Sequence, residues 1–247
     1  MLGVAGLLVP DGVLSGPRRC QGSALQRPAD DSDPSVRQAV VKVLAGRDDP
    51  RVTEQLLYRL DDQDVLVRQA VVAVLTGRDD PEVTEGMLGR LDDPERRVRQ
   101  AVVEGVAGLH EPRVTERLLH RLDDPHWLVR RAVMDALAGR QDPGVIEGLL
   151  DHLDDRNPSV RRAVVVALAG RREPRVTKSL LDHLDDRYPS VRKAVVAALA
   201  GRQGSGVTER LLDRLDDQDL SIRQAVVEAW GGPPAGSRSD RGTAEPS

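Results

Sequence analysis

The sequence has no phenylalanine, one cysteine, two tryptophans, two tyrosines and three lysines in 247 residues. With so few aromatics, a core must be built from Leu, Val and Ala, which suits closely packed helices. The lone Cys20 cannot close an internal disulfide, which points to a reducing compartment, the cytoplasm. No apolar run reaches the length of a membrane span. The opening MLGVAGLLVP has about nine apolar residues and no basic residue before them, which is not the build of a secretory signal. None of the lysines (Lys42, Lys178, Lys193) follows a glycine, so no phosphate-binding P-loop is present. Of 36 basic residues, 33 are arginine, which with abundant Ala, Gly, Val and Asp marks a GC-rich bacterial genome. Net charge is −4 and spread along the chain, which argues against the basic stripe of a nucleic-acid binder.

What the chain does have is one stretch, repeated. In one copy it reads LDDRNPSVRRAVVVALAGR, from Leu153 to Arg171. The arginine of its Val-Arg or Ile-Arg pair falls at Arg37, Arg68, Arg99, Arg130, Arg161, Arg192 and Arg223, a constant step of 31 residues. A period of this length indicates a solenoid. Val36, Ala39, Val40, Val43 and Leu44 follow helical spacing and form one apolar face. Asp33-Pro34 or Asn157-Pro158 opens such a helix, and a glycine (Gly46, Gly77, Gly108, Gly139, Gly170, Gly201) is placed to close it in the left-handed conformation. Pro50, Pro81, Pro112, Pro143 and Pro174 open a second helix, whose apolar face is Val52, Leu56, Leu57 and Leu60.

The expected fold is therefore all-α: a right-handed α-solenoid of six full two-helix repeats plus a terminal helix, over residues 29–232. Residues 1–28 are expected to be irregular and disordered, and residues 233–247 a disordered tail. Leu25 and Asp30-Asp31 nevertheless keep the register, so residues 21–31 read as a decayed second helix of a missing earlier repeat, broken by Pro28. Trp230 replaces the Leu or Val of the other repeats and is placed to act as a lid.

Two-helix units carrying Asp six residues before Arg resemble HEAT repeats, in particular the short bacterial phycobilisome-lyase-type repeats. The pairs are Asp31/Arg37, Asp62/Arg68, Asp93/Arg99, Asp124/Arg130, Asp155/Arg161, Asp186/Arg192 and Asp217/Arg223. The resemblance implies that they form a ladder between stacked repeats. Some HEAT-like proteins are di-iron hydroxylases of a lysine-derived residue and carry several His-Glu pairs at repeat spacing. Here His110-Glu111 stands alone, and His152 and His183 read as polar replacements of Arg59, Arg90, Arg121 and Arg214. No catalytic, metal or cofactor constellation is expected. Other relatives of this repeat type attach bilin pigments as paired complexes, which makes an accessory subunit of such a lyase the alternative reading, ahead of a deoxyhypusine-hydroxylase-like metal enzyme.

Variation between repeats points to a surface. In the second helix three positions change while the core does not: Arg51/Gln55/Tyr58, Glu82/Gly86/Gly89, Arg113/Arg117/His120, Gly144/Gly148/Asp151, Arg175/Ser179/Asp182 and Gly206/Arg210/Asp213. Spacing of four and three places each triplet on one helical face, and the resemblance places second helices on the concave side. The expectation is a non-catalytic scaffold that binds a protein or peptide there, without nucleic acid or membrane. Its contacts are Arg51, Gln55, Tyr58, Arg113, Arg117, His120, Asp151, Arg175, Asp182, Arg210 and Asp213, basic near Arg113 and acidic toward Asp213.

Overall fold

A computed structural model of the chain describes residues 30–231, apart from Asp48 and Pro143. Among these residues lie thirteen α-helices and no strand. The expectations for residues 1–28 and 233–247 fall outside the described residues.

The first helices of the repeats are α1 (Pro34–Leu44), α3 (Val65–Leu75), α5 (Arg96–Val106), α7 (Trp127–Leu137), α9 (Pro158–Leu168), α11 (Pro189–Leu199) and α13 (Leu220–Gly231). Between them come the second helices α2 (Pro50–Arg59), α4 (Pro81–Gly89), α6 (Pro112–Leu119), α8 (Val145–Asp151), α10 (Pro174–Asp182) and α12 (Ser205–Leu212). The observed fold is thus an all-α array of two-helix repeats. It divides into two compact units, one ending at Val74 and the other starting at Leu75.

The helix boundaries follow capping chemistry. Asp33, Asp49 and Asp80 each accept an N–H from the first turn of the helix they precede, and Asn157 does the same for Ser159. Proline at the first helical position gives up no bond there. At the far ends, Gly46, Gly77, Gly139 and Gly201 adopt φ of +75, +81, +81 and +68°, the left-handed closure expected. Gly108 and Gly170 do not: the preceding Ala107 and Ala169 stay right-handed, and the turn closes without a left-handed residue. The helix expected to open at Pro143 begins instead at Val145, behind Gly144 at φ +82°.

In the N-terminal unit, Val40, Val41 and Leu44 of α1 are buried together with Leu56, Leu60, Val67, Val71 and Val72. In the C-terminal unit, α5 packs on α7, α7 on α9, α9 on α11 and α11 on α13, while α4, α6, α8 and α10 each pack on the first helix that follows. Val98, Val129, Val160, Val191 and Ile222 form one column, fully buried in every repeat. Each side chain is covered by the neighbouring repeat, so burial is a property of the stack and not of one helix pair. At the last helix no described residue of a following repeat supplies that cover. Trp230 is 44% exposed where its equivalents Leu137, Leu168 and Leu199 are fully buried, so the indole is itself only half covered.

Candidate interaction surface

The second helices, which carry the candidate contacts, each lead into a Leu-Asp-Asp turn. The second aspartate of that turn is a structural part. Arg99 donates from Nε and Nη2 to both carboxylate oxygens of Asp124, at 2.7 and 3.0 Å. Its Nη1 donates to the backbone carbonyl of Asp93 at 2.8 Å. The same fork joins Arg37 to Asp62, Arg130 to Asp155, Arg161 to Asp186 and Arg192 to Asp217. The ladder between repeats is therefore real, but its partners differ from those expected. The aspartate just before each of these helices offers the arginine only its carbonyl; the ion pair is made with the aspartate of the next turn, as Arg99 does with Asp124 and Arg130 with Asp155. A bidentate guanidinium–carboxylate fork is the strongest geometry available to such a pair.

Burial pushes the carboxyls of Asp62, Asp155 and Asp186 up. The arginine fork and the backbone N–H two residues on outweigh it, so each sits below the ordinary carboxylate value. For Asp217 the Arg192 hydrogen bond is the dominant influence, in the same direction. The fork in turn raises Arg99, Arg161 and Arg192.

The first aspartate of each turn faces the other way. Asp92 pairs with Arg121 at 2.5 Å, Asp123 with His152 at 3.3 Å, Asp154 with His183 at 3.2 Å and Asp185 with Arg214 at 2.6 Å. In the N-terminal unit Arg59 pairs with Asp30. These pairs link the end of one second helix to the turn of the repeat before it and form an outer ladder, which the sequence reading missed. The repeated doublet was its one signal. His152 and His183 replace Arg in geometry as well as in register. Their Nδ1 atoms lie 2.8 Å from the carbonyls of Gly148 and Ser179, whereas the buried Nε of Arg121 and Arg214 has no acceptor among the described residues.

A third arginine set closes the first helices. Buried Arg140 donates to Ala136 O, to Thr115 Oγ1 at 3.0 Å and to Ala107 O at 2.8 Å. Arg202 repeats this with Ala198 O, Thr177 Oγ1 and the carbonyls of Leu168 and Ala169. Where Ile146 stands in place of threonine, Arg171 donates to the Gln141 side chain and to Arg140 O instead. Burial pushes the Arg140 and Arg202 guanidinium groups down from their ordinary value. With carbonyls as the main acceptors, these arginines satisfy helix ends that would otherwise be buried unpaired.

Against this framework the three variable columns separate. The outer two are exposed in every repeat: Arg51, Glu82, Arg113, Gly144, Arg175 and Gly206, and likewise Tyr58, Gly89, His120, Asp151, Asp182 and Asp213. The middle column, Gln55, Gly86, Arg117, Gly148, Ser179 and Arg210, is half-buried throughout. Arg117 donates to Leu88 O at 3.2 Å and Arg210 to Leu181 O at 3.4 Å, each closing the preceding second helix. A Cβ added to Gly148 would lie 2.7 Å from Leu122, so only glycine fits there without a shift. The middle column is thus largely a seam between repeats.

Of the remaining candidates, Arg113 is drawn to Glu111 at 2.6 Å and Glu85 at 3.7 Å. His120 ends α6 as an exposed cap. Asp151, Asp182 and Asp213 stand exposed at the ends of α8, α10 and α12. In the N-terminal unit, Tyr58 is 73% exposed with Arg59 5.2 Å over its ring. It borders an open hollow that Asp30, Asp31, Arg37 and Asp62 also line. No described helix is long and apolar enough to cross a membrane.

A family profile described as HEAT repeats matches residues 23–107, 84–169, 115–200 and 146–231. Among solved structures, the YibA protein of Escherichia coli aligns over 84% of this chain and 79% of its own, at 21% identity and a TM-score of 0.63. One chain from the structure of the CpcE–CpcF complex of phycocyanin lyase from Nostoc sp. PCC7120 aligns over 91% of this chain and 92% of its own length, at 16% identity and a TM-score of 0.51. An engineered protein aligns over 85% of this chain and 67% of its own, at 16% identity and a TM-score of 0.53. No curated protein matches the sequence. At these identities the likeness concerns the fold alone.

Proposed function

The chain belongs to the HEAT-repeat family, and we propose that its repeats serve as a non-catalytic scaffold that holds a protein or peptide on the face built by the second helices. One observation carries this reading. Both outer columns are exposed in every repeat and vary freely, while the ladders and core that carry them hardly change. Within a unit, a periodic frame with a variable face lets a partner touch several repeats at once, so modest contacts sum.

The charge of that face favours a basic partner segment over α8, α10 and α12. Asp151, Asp182 and Asp213 recur one repeat apart and are exposed, and the neighbouring Asp123 and Asp154 side chains are 96% and 94% exposed. The basic residues contribute less: Arg113 is shared with two glutamates, and Arg117 and Arg210 close helices. Complementary charge of this kind guides encounter and selects partners.

The test is capture of partners from the native cell by the wild-type chain and by a triple variant, Asp151→Lys, Asp182→Lys, Asp213→Lys. Loss of the captured protein with an unchanged melting temperature is expected. Full capture by the triple variant would move the binding face elsewhere. A second reading, an accessory subunit of a lyase-like enzyme, draws on the alignment with one chain of the CpcE–CpcF complex, over 91% of this chain and 92% of that one. It expects the captured protein to be another HEAT-repeat chain that copurifies in fixed ratio.

A further inference from the structure

The two ends of the repeat array are complementary to each other. At the C-terminal end, Val227 is 60% exposed, whereas its equivalents Val103, Val165 and Val196 are fully buried under the following repeat. Trp230, Leu212 and Leu215 are exposed for the same reason. Residues 232–247 contain no Leu, Ile, Val, Met or aromatic residue, so they hold none of the side chains that cover this face elsewhere in the array.

The polar groups of this face are equally unfinished. Arg223 donates from Nη1 to the carbonyls of Asp217 and Gln218, at 2.6 and 3.2 Å, as every ladder arginine does within its own turn. Its Nε and Nη2 meet no carboxylate among the described residues, although the matching edge of Arg192 is filled by Asp217. Elsewhere in the array that edge is taken by an aspartate 25 residues further on, as Asp217 takes it for Arg192.

The N-terminal end offers that aspartate. Asp31 lies six periods of 31 residues before Asp217 and so occupies the same place in the repeat. Its Oδ1 accepts the Asp33 N–H at 2.8 Å, as the filled ladder aspartates accept theirs. No described guanidinium forks its carboxylate: Arg37 donates to its carbonyl, and the side chain lines the hollow beside Tyr58. Val36 is 36% exposed there, while Val67, Val98, Val129, Val160 and Val191 at the same position are fully buried. The register also complements. The last described helix, α13, is a first helix, and the sequence from Leu25 to Asp31 keeps the register of a second helix and its turn.

We propose that this chain associates head to tail with itself, the Arg223 face of one copy seating on the Asp31 face of the next and continuing the arginine ladder across the junction. Such a contact joins two different surfaces, so it propagates into longer assemblies unless the geometry closes a ring.

Light scattering of the full chain over a rising concentration series tests it. Mass should climb above the 26.9 kDa monomer. Arg223→Glu and Asp31→Arg, each alone, should weaken association by about thirtyfold or more, the effect of breaking a desolvated charge pair. Mixing the two variants in equal amounts should restore it, because the new carboxylate of one meets the new guanidinium of the other and the native pair forms at the next junction. Val227→Asp, at an exposed position, should weaken association without lowering the melting temperature, which keeps the test decisive if Arg223→Glu fails to fold. A wild-type chain that stays monomeric at every concentration overturns the proposal. So does association that Val227→Asp abolishes and Asp31→Arg leaves intact, since two like faces would then be pairing.

Discussion

Asp123 and Asp124 are neighbours in the chain, and their carboxylates live in different surroundings. The side chain of Asp124 is fully buried and forked by Arg99, while that of Asp123 is 96% exposed and reaches His152 at 3.3 Å. The inner row of turns therefore holds charges out of water, and the outer row holds them in it. A buried pair has lost its hydration and depends on its partner, whereas an exposed pair can exchange its partner for water at little cost. The same motif thus supplies a structural ladder on one side and an electrostatic surface on the other.

The sharpest way to break this comparison is to remove one half of an inner pair. Arg99→Ala leaves Asp124 buried without its fork and should destabilise the chain by about 3–5 kcal/mol. Denaturant unfolding measures it; a loss below about 1 kcal/mol would mean that water reaches Asp124 and the inner row is not structural.

Acid is the second probe. The folded-state carboxyls of Asp62, Asp155, Asp186 and Asp217 lie below the ordinary value of 3.8. A depressed carboxyl contributes stability that is fully present above that ordinary value and is lost as pH falls through the folded value. Melting temperature should hold from about pH 6 to about pH 5 and drop below about pH 4. Arg161→Met removes the main group that holds Asp186 down, so that variant should start less stable and lose less on acidification. An equal drop in the variant would place the acid sensitivity outside the inner ladder.

The outer row should give the smallest effect. Asp123→Ala is expected to change stability by less than about 0.5 kcal/mol, because its partner can be solvated in its place. Thermal melts of Asp123→Ala and Arg99→Ala, measured side by side, check the contrast. If the two variants lost similar stability, the distinction between the rows would collapse.

Much of this architecture was legible in the residues themselves. The 31-residue step, the proline starts and the helical spacing of Val and Leu specify helix pairs and their buried faces, because capping and amphipathicity are local. The family likeness was legible too, from the recurring Asp and Val-Arg positions. Which aspartate pairs with which arginine was not. For Arg99 the candidates are Asp93 behind it and Asp124 ahead, which differ by one whole period, so in a perfect repeat the sequence cannot tell them apart; stacking decides, and it gives the carboxylate to the neighbouring repeat. The candidate surface divides in the same way. Its three variable columns can be read from helical spacing, yet only the packed array turns Arg117, Gly148 and Arg210 toward the preceding repeat and leaves Arg113, Asp151 and Asp213 exposed. Variation alone does not separate a seam from a surface, because a half-buried position that contacts helix ends tolerates glycine, serine or arginine as readily as one in water.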